Sequence, residues 1–406
     1  MDFSLSTVSY KNTPKFDAKR IKKAEKNKKW ALRLTFETMN SFGQQFRVTL
    51  FGESHGPAIG AVIDGMPAGF KIKRQEIQSM LDRRRPGGTA LGTARNEMDE
   101  IEFLSGLKED VSTGAPIAFI MRNKDIRPSD YSSLDKAYRP SHADFTYAAK
   151  YGLREESGGG RSSARLTAPL VAAGAIAKQL LAEKNIHCFA FVSSIGTVRL
   201  EMPTEWTTDE KTAHAILEKG DWQNERIPCP DKNTQDKMLL AIEDAASKGD
   251  TLGGCVQFIA TGAMAGLGEP LANKLSAQLA HAMSSINAVH GFEFGSGFAG
   301  SEMHGSQHND SFERLTERGV QTTSNNSGGI QGGISNGMPI YGKVAFKPIS
   351  SIRIPQQMLQ ADGTQRVQAI EGRHDACPVP RAVPIVEAHL ALTLLDAYLQ
   401  NRLAKW

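Results

Sequence analysis

Residues 166–183 place Leu166, Leu170, Ala173, Ala177 and the Leu180-Leu181 pair at the spacing of one helix face. No other feature narrows the fold as much, because the segments flanking this helix follow a different pattern. Residues 116–121 and 187–200 read as strands. Nearer the start, residues 46–51 alternate like a half-buried strand and run into Gly52, and residues 58–63 form a second apolar run closed by Asp64-Gly65-Met66-Pro67. Residues 74–82 predict a helix with Ile77, Met80 and Leu81 on one face and Pro86-Gly87-Gly88 as its stop. The second half repeats the alternation, with strands at 255–260 and 340–346 and helices at 273–286 and 383–403. No Pro-, Ser- or charge-rich linker divides the chain. These elements predict one large α+β domain, with two similar halves as one way of building it.

At 406 residues and 40% hydrophobic content the chain has ample material for such a core. No run approaches the roughly 18 consecutive apolar residues of a membrane span, so no membrane role is expected. Cys188, Cys229, Cys255 and Cys377 are far apart and form no C-x-x-C pair. That argues against structural zinc or a disulfide framework and predicts a reducing, cytoplasmic setting. The net charge of +4 is concentrated at one end. Residues 1–38 hold ten Lys/Arg against four Asp/Glu, so residues 39–406 carry −2. Nucleic acid is therefore not an expected partner. Residues 1–38 lack the apolar run of a secretory signal and are neither arginine-rich nor acid-free. They predict a basic, disordered extension with Met39 as the natural beginning; a basic tether and a plastid-type leader are the alternatives.

Gly52-Glu53-Ser54-His55-Gly56 matches the G-x-S-x-G pattern of a nucleophile elbow, which would make Ser54 the nucleophile of a serine hydrolase. An elbow needs a helix after the turn, whereas residues 57–65 continue as an extended run. A histidine adjacent in sequence also cannot easily turn back onto its neighbour's hydroxyl. His55, His142 and His374 lie in apparent loops among charged or glycine neighbours, where an imidazole suits proton transfer. His187, His214, His281 and His389 sit in strand or helix contexts and are expected to be structural or surface residues. No H-x₃-H or H-E-x-x-H spacing appears, so no metal is expected.

Gly158-Gly159-Gly160 and the glycine-bearing stretches 291–297 and 328–333 suggest a cradle for a phosphate or ring system. Arg83-Arg84-Arg85 ends a predicted helix, where the C-terminal dipole alone favours cations. Arg95, Arg139, Arg161, Arg165 and Arg373 lie within three residues of Gly, Pro, Ser or His. If these loops converge, they make a pocket for a small ligand with several carboxylates or phosphates.

Six motifs in order then resemble the chorismate synthase family, over everything after about Met39. They are Gly52-Glu53-Ser54-His55-Gly56 with Asp64-Gly65 downstream, Arg83-Arg84-Arg85-Pro86-Gly87, Arg139-Pro140-Ser141-His142-Ala143-Asp144, Gly160-Arg161-Ser162-Ser163-Ala164-Arg165, Lys347-Pro348-Ile349-Ser350-Ser351 and Gly372-Arg373-His374-Asp375. The resemblance implies a lyase that converts 5-enolpyruvylshikimate 3-phosphate to chorismate by 1,4-elimination of phosphate. This is a shikimate-pathway step toward the aromatic amino acids, using reduced FMN that is not consumed overall. The implied fold is a β-α-β sandwich, with helices outside two packed antiparallel sheets, assembled as a homotetramer.

The same resemblance implies roles for single residues. His55 would protonate the departing phosphate, and His142 would stabilise the monoanion of the reduced flavin. Asp375, helped by Ser163, would manage the proton on flavin N5. Arg84, Arg95, Arg139, Arg165 and Arg373 would grip substrate anions, with Ser54 as a hydroxyl contact. Arg161, Ser162, Ser163, Asn287, Ala288, Gly332, Lys347, Pro348, Ile349, Ser350 and Ser351 fall on the flavin-contacting segments, and Arg373 is counted there too. NADPH enters only as a source of reducing equivalents, with an outside reductant favoured. Three positions depart from the family: Ser141 replaces the usual Gly, Ala376 follows Asp375 where Pro or Ser is common, and Ala90 stands where many members carry a basic residue or serine. A non-catalytic flavin- or anion-binding protein is the remaining rival.

Overall fold

The alternating run that ends at Gly52 and the apolar run beginning at Ala58 are joined by too few residues for anything but a hairpin. In the computed structural model, which describes residues 40–85, 98–123, 137–152, 159–218, 220–370 and 375–404, they form that hairpin. Strand β1 (Ser41–Phe42) edges β2 (Arg47–Gly52), which pairs with β3 (Ala58–Asp64) from Arg47↔Asp64 to Gly52↔Ile59. β4 (Glu102–Ser105) and β5 (Ile117–Arg122) complete a five-stranded antiparallel sheet in the order β1-β2-β3-β5-β4.

A second five-stranded antiparallel sheet holds β6 (His187–Ile195), β7 (Val198–Arg199), β8 (Gly254–Thr261), β9 (Val289–Phe294) and β10 (Ile340–Phe346), in the order β7-β6-β8-β10-β9. The expectation of one strand over residues 187–200 is corrected here. Gly196 turns with φ 53°, a left-handed geometry that suits glycine, and folds Val198 back onto Ile195.

Four of the helices that alternate with these strands build the centre: α1 (Arg74–Arg84), α2 (Thr167–Ala182), α3 (Leu275–Ser284) and α4 (Val379–Asn401). The two halves follow one order. β2, β3, α1, β4, β5 and α2 correspond to β6, β8, α3, β9, β10 and α4, and the edge strands β4 and β9 each precede in sequence the neighbour they pair with, β5 and β10.

The expectation of helices outside two packed sheets is also corrected. α2 packs on β2, β3 and β6, while α4 packs on β6, β8 and the other three helices, so the two longest of the four form a layer between the sheets. The apolar stripe read from the sequence of α2 covers one face only. Its other faces carry Ala168, Val171, Ala172, Gly174 and Ala175, all buried, and a helix apolar all round belongs in an interior. A Cβ at Gly174 would lie 2.3 Å from Ala388 Cβ, so α2 and α4 touch almost backbone to backbone. α4 is long and apolar enough to cross a membrane, with a mean hydropathy of 1.4, but 83% of that window is buried within the fold. Its buried Asp396 accepts the backbone N–H groups of Gln44, Gln45 and Phe46 at 2.7–3.0 Å, which ties the start of β2 to the central layer. Residues Asn40–Trp406 form one compact unit.

Candidate active site

The loop between β2 and β3 carries Ser54 and His55. Gly56 N–H donates to Glu53 O at 3.1 Å and closes a turn, which swings the two side chains together: Ser54 Oγ lies 2.9 Å from His55 Nδ1. That corrects the expectation that adjacent residues cannot meet; the turn, rather than extended backbone, makes it possible. The elbow itself is not built. The chain runs on into β3 and not into a helix, and Ser54 is 0% exposed while His55 is half-buried.

Asn123, just beyond β5, holds this loop from behind. Its Nδ2 donates to Glu53 O at 3.1 Å and Gly56 O at 2.7 Å, and its Oδ1 accepts from Arg165 Nε at 3.1 Å. Arg165 pairs with buried Asp99, and Asp99 Oδ2 accepts from Arg84 Nη2 at 2.5 Å. The Arg84 carbonyl in turn accepts from Arg381 Nε at 3.1 Å, and Arg381 pairs with Asp375. A continuous polar network thus runs from the His55 loop to Asp375. It joins the end of α1, the short 3₁₀ turn Ala164–Leu166 ahead of α2, and the first turn of α4.

Among the described residues the network carries more positive than negative charge, since Arg84, Arg165 and Arg381 face Asp99 and Asp375. Burial pushes the Asp99 carboxyl up, but Arg84 and Arg165 outweigh it and hold the group below the ordinary carboxylate range. Burial, with Arg381 and Arg165 nearby, lowers Arg84 to about 10 against the pull of Asp99. Arg84 Nε is buried with no hydrogen-bond partner among the described residues. A buried cation excess with an unspent donor is suited to an incoming anion.

A second cluster forms at the start of the helix Asp144–Tyr151. Asp144 receives Arg139 through Nε at 2.7 Å and Nη2 at 2.8 Å, and its Oδ1 lies 2.7 Å from His142 Nδ1. Burial raises the Asp144 carboxyl, but hydrogen bonds from Arg139 and His142 hold it far below its ordinary value. Arg139 Nη2 also lies 3.0 Å from His142 Nδ1, so both of these contacts of the ring are made through that one nitrogen. The guanidinium of Arg139 is occupied by Asp144 rather than extended to solvent.

Ser141 in this loop has φ 57°, and its carbonyl accepts from Lys347 Nζ. A side chain in left-handed backbone costs about 1 kcal/mol or more relative to glycine. Ser141→Gly is therefore expected to raise stability by about 1 kcal/mol, read as a higher urea midpoint at unchanged slope. An unchanged or lowered midpoint would show that the geometry is not strained.

The segments expected near flavin are joined by direct contacts. Arg161 Nη1 donates to Gly52 O at 2.9 Å, Asn287 Nδ2 to Ser162 O at 2.9 Å, and Lys347 N–H to Ala288 O at 2.9 Å. Ser163 Oγ accepts the Arg165 N–H at 3.2 Å, and Ile349 O accepts from Thr251 Oγ1 at 2.8 Å. Pro348 and Ser350 lie in the same stretch, and Ser351 is buried. Gly332 turns a separate hairpin between Ile330–Gln331 and Ile334–Ser335, whose Gly333 carbonyl accepts from Leu275 at the start of α3. Ala90, Arg95, Arg373 and His374 lie outside the described residues.

The family model described as chorismate synthase matches residues 46–399. This chain belongs to the chorismate synthase family. A chorismate synthase of Christiangramia forsetii is 50% identical over 366 residues, covering 90% of this chain and 99% of that one. One of Cytophaga hutchinsonii is 50% identical over 363 residues, covering 89% and 98%. A crystal structure of chorismate synthase superposes with a TM-score of 0.71 at 31% identity, covering 88% of this chain and 93% of that one.

Asp99, Asn123, Asp144 and Arg381 were not among the residues singled out from sequence, though all four hold the site together. Asp144 stands two residues after His142 in a quoted motif, so its pairing was within reach. Asp99, Asn123 and Arg381 are joined to their partners only by tertiary folding, and no local spacing marks them.

Proposed function

We propose that this chain catalyses the 1,4-elimination of phosphate from 5-enolpyruvylshikimate 3-phosphate to give chorismate, the last common step of the shikimate pathway. The observation that carries the reading is the buried, cation-rich network that links the His55 loop to Asp375. A substrate with two carboxylates and a phosphate matches its charge. His55, held by Asn123 and hydrogen-bonded to Ser54, donates a proton to the leaving phosphate. Arg84, Arg165 and, with them, Arg95 and Arg373 bind substrate anions, while Arg139 acts by fixing Asp144 beside His142. Asp375, paired with Arg381 and helped by Ser163, handles the proton lost from substrate carbon.

The residues fit a reduced FMN. Arg161, Ser162, Ser163, Asn287, Ala288 and Lys347–Ser351 would hold it, with Gly332 and Arg373 added, and His142 would stand beside its ring. When bound, the reduced flavin supplies electron density to the reacting allylic system without net consumption. The protein acts as a cytoplasmic homotetramer, with residues 39–406 as the catalytic domain and residues 1–38 as a basic extension. NADPH is the donor to test as the source of the flavin's reducing equivalents.

An anaerobic assay with chemically reduced FMN and the enolpyruvyl substrate tests this reading. Chorismate formation is the expected result, and esterase activity without chorismate would overturn it. Flavin spectral changes on adding substrate, without turnover, would instead identify a binding protein. Adding NADPH with oxidised FMN in place of reduced flavin shows whether the chain reduces its own cofactor.

A further inference from the structure

We propose that His187, His214 and Glu218 form a binding site for one divalent transition-type cation, for which Zn²⁺ is the best-matched ion. His187 opens β6, and the helix Glu210–Glu218 carries His214 and Glu218 one turn apart on the same face. One ligand atom from each of the three lies within 4.8 Å of the other two. His214 Nε2 is 2.9 Å from Glu218 Oε2, and the two imidazole centroids are 4.3 Å apart. Phe189 stacks on His187 at 6.4 Å and meets His214 edge-on at 5.7 Å, which holds both rings in place.

Two imidazoles and a carboxylate are the donor set of three-ligand zinc sites, with a fourth position open to water. Ligand bonds of about 2.0–2.2 Å in a tetrahedron set donor atoms about 3.3–3.6 Å apart, so side-chain rotations of about 1 Å complete the geometry. His214 Nδ1 is buried without a hydrogen-bond partner among the described residues, so the ring is not fully spent on internal contacts. The neighbouring cations do not stand against the ion unopposed. Lys178 is paired with Glu387 at 3.0 Å and Arg318 with Glu210 at 2.7 Å. None of the three residues belongs to the network around His55, so the ion would fasten β6 to this helix and take no part in the elimination. In sequence only His214 and Glu218 lie close together, and the third donor comes from another element, so no metal-ligand spacing marks the site.

Calorimetric titration of Zn²⁺ into untagged, EDTA-treated full-length protein tests the proposal, with Mg²⁺ as a control ion that favours oxygen donors. One Zn²⁺ per chain is expected, with a raised melting temperature, and neither effect with Mg²⁺. His214→Asn and the exposed Glu218→Gln should each weaken Zn²⁺ binding by more than about 100-fold, since even outer-shell changes cost about 10–100-fold. Both variants should keep the wild-type circular dichroism. Absence of Zn²⁺ binding by the wild type, or undiminished affinity in the two variants, overturns the site.

Discussion

Replacing His55 with alanine is expected to lower turnover by about 10²–10⁴-fold, the range that one positioned acid supplies. Substrate and flavin should still bind, because the arginines that carry the charge of the site are anchored independently of the imidazole. The loss should therefore fall on kcat with little change in KM, and steady-state kinetics with reduced FMN separate the two. Ser54→Ala should cost less, since the ring and not the hydroxyl carries the proton that is transferred, and Ser54 Oγ orients that ring through the 2.9 Å contact to Nδ1. The opposite pattern, with Ser54→Ala inactive and His55→Ala active, would remove His55 as the proton donor.

The second large effect concerns stability. Asp99→Asn keeps the shape of the side chain but leaves Arg84 and Arg165 buried with no carboxylate between them. Breaking a buried ion pair from one side costs about 3–5 kcal/mol, because the remaining charge is left uncompensated. Urea unfolding at neutral pH measures this, and a loss below about 1 kcal/mol would mean that water reaches the guanidinium groups. The pH dependence has a fixed sign. The folded state holds Asp99 below its ordinary value, so its contribution is complete above the unfolded pKa of about 3.9. It is lost as pH falls through the lower folded value, and Asp99→Asn should remove that part of the acid-induced decline.

Much of the fold could be read from the chain because its strands and helices obey single periods. The strand at 340–346 appears with the predicted bounds, and the helix predicted at 273–286 is realised as Leu275–Ser284. What could not be read was the order of the layers. A stripe of leucines and alanines predicts a helix face but says nothing of Val171, Ala172 and Gly174 beside it, which are buried as well and, at Gly174, admit a second helix. Within the site, His55, His142 and the arginines announce themselves by residue type and neighbours. Asp99 and Asn123 do not, since an isolated Asp or Asn acquires its partners only when distant segments meet.

Asn123 also changes what counts as a sensitive position. It follows Arg122, which pairs with Ala58 across the β3–β5 ladder, and its own N–H continues that ladder to Pro57 O at 3.2 Å. Side chains alternate between faces along a strand, so a slip of one residue would turn Asn123 away from the His55 loop. The alignment of two strands is therefore a tolerance on the chemistry. A single residue inserted within β5, between Ile117 and Arg122, would detune the enzyme while every residue assigned a chemical role remained in the sequence.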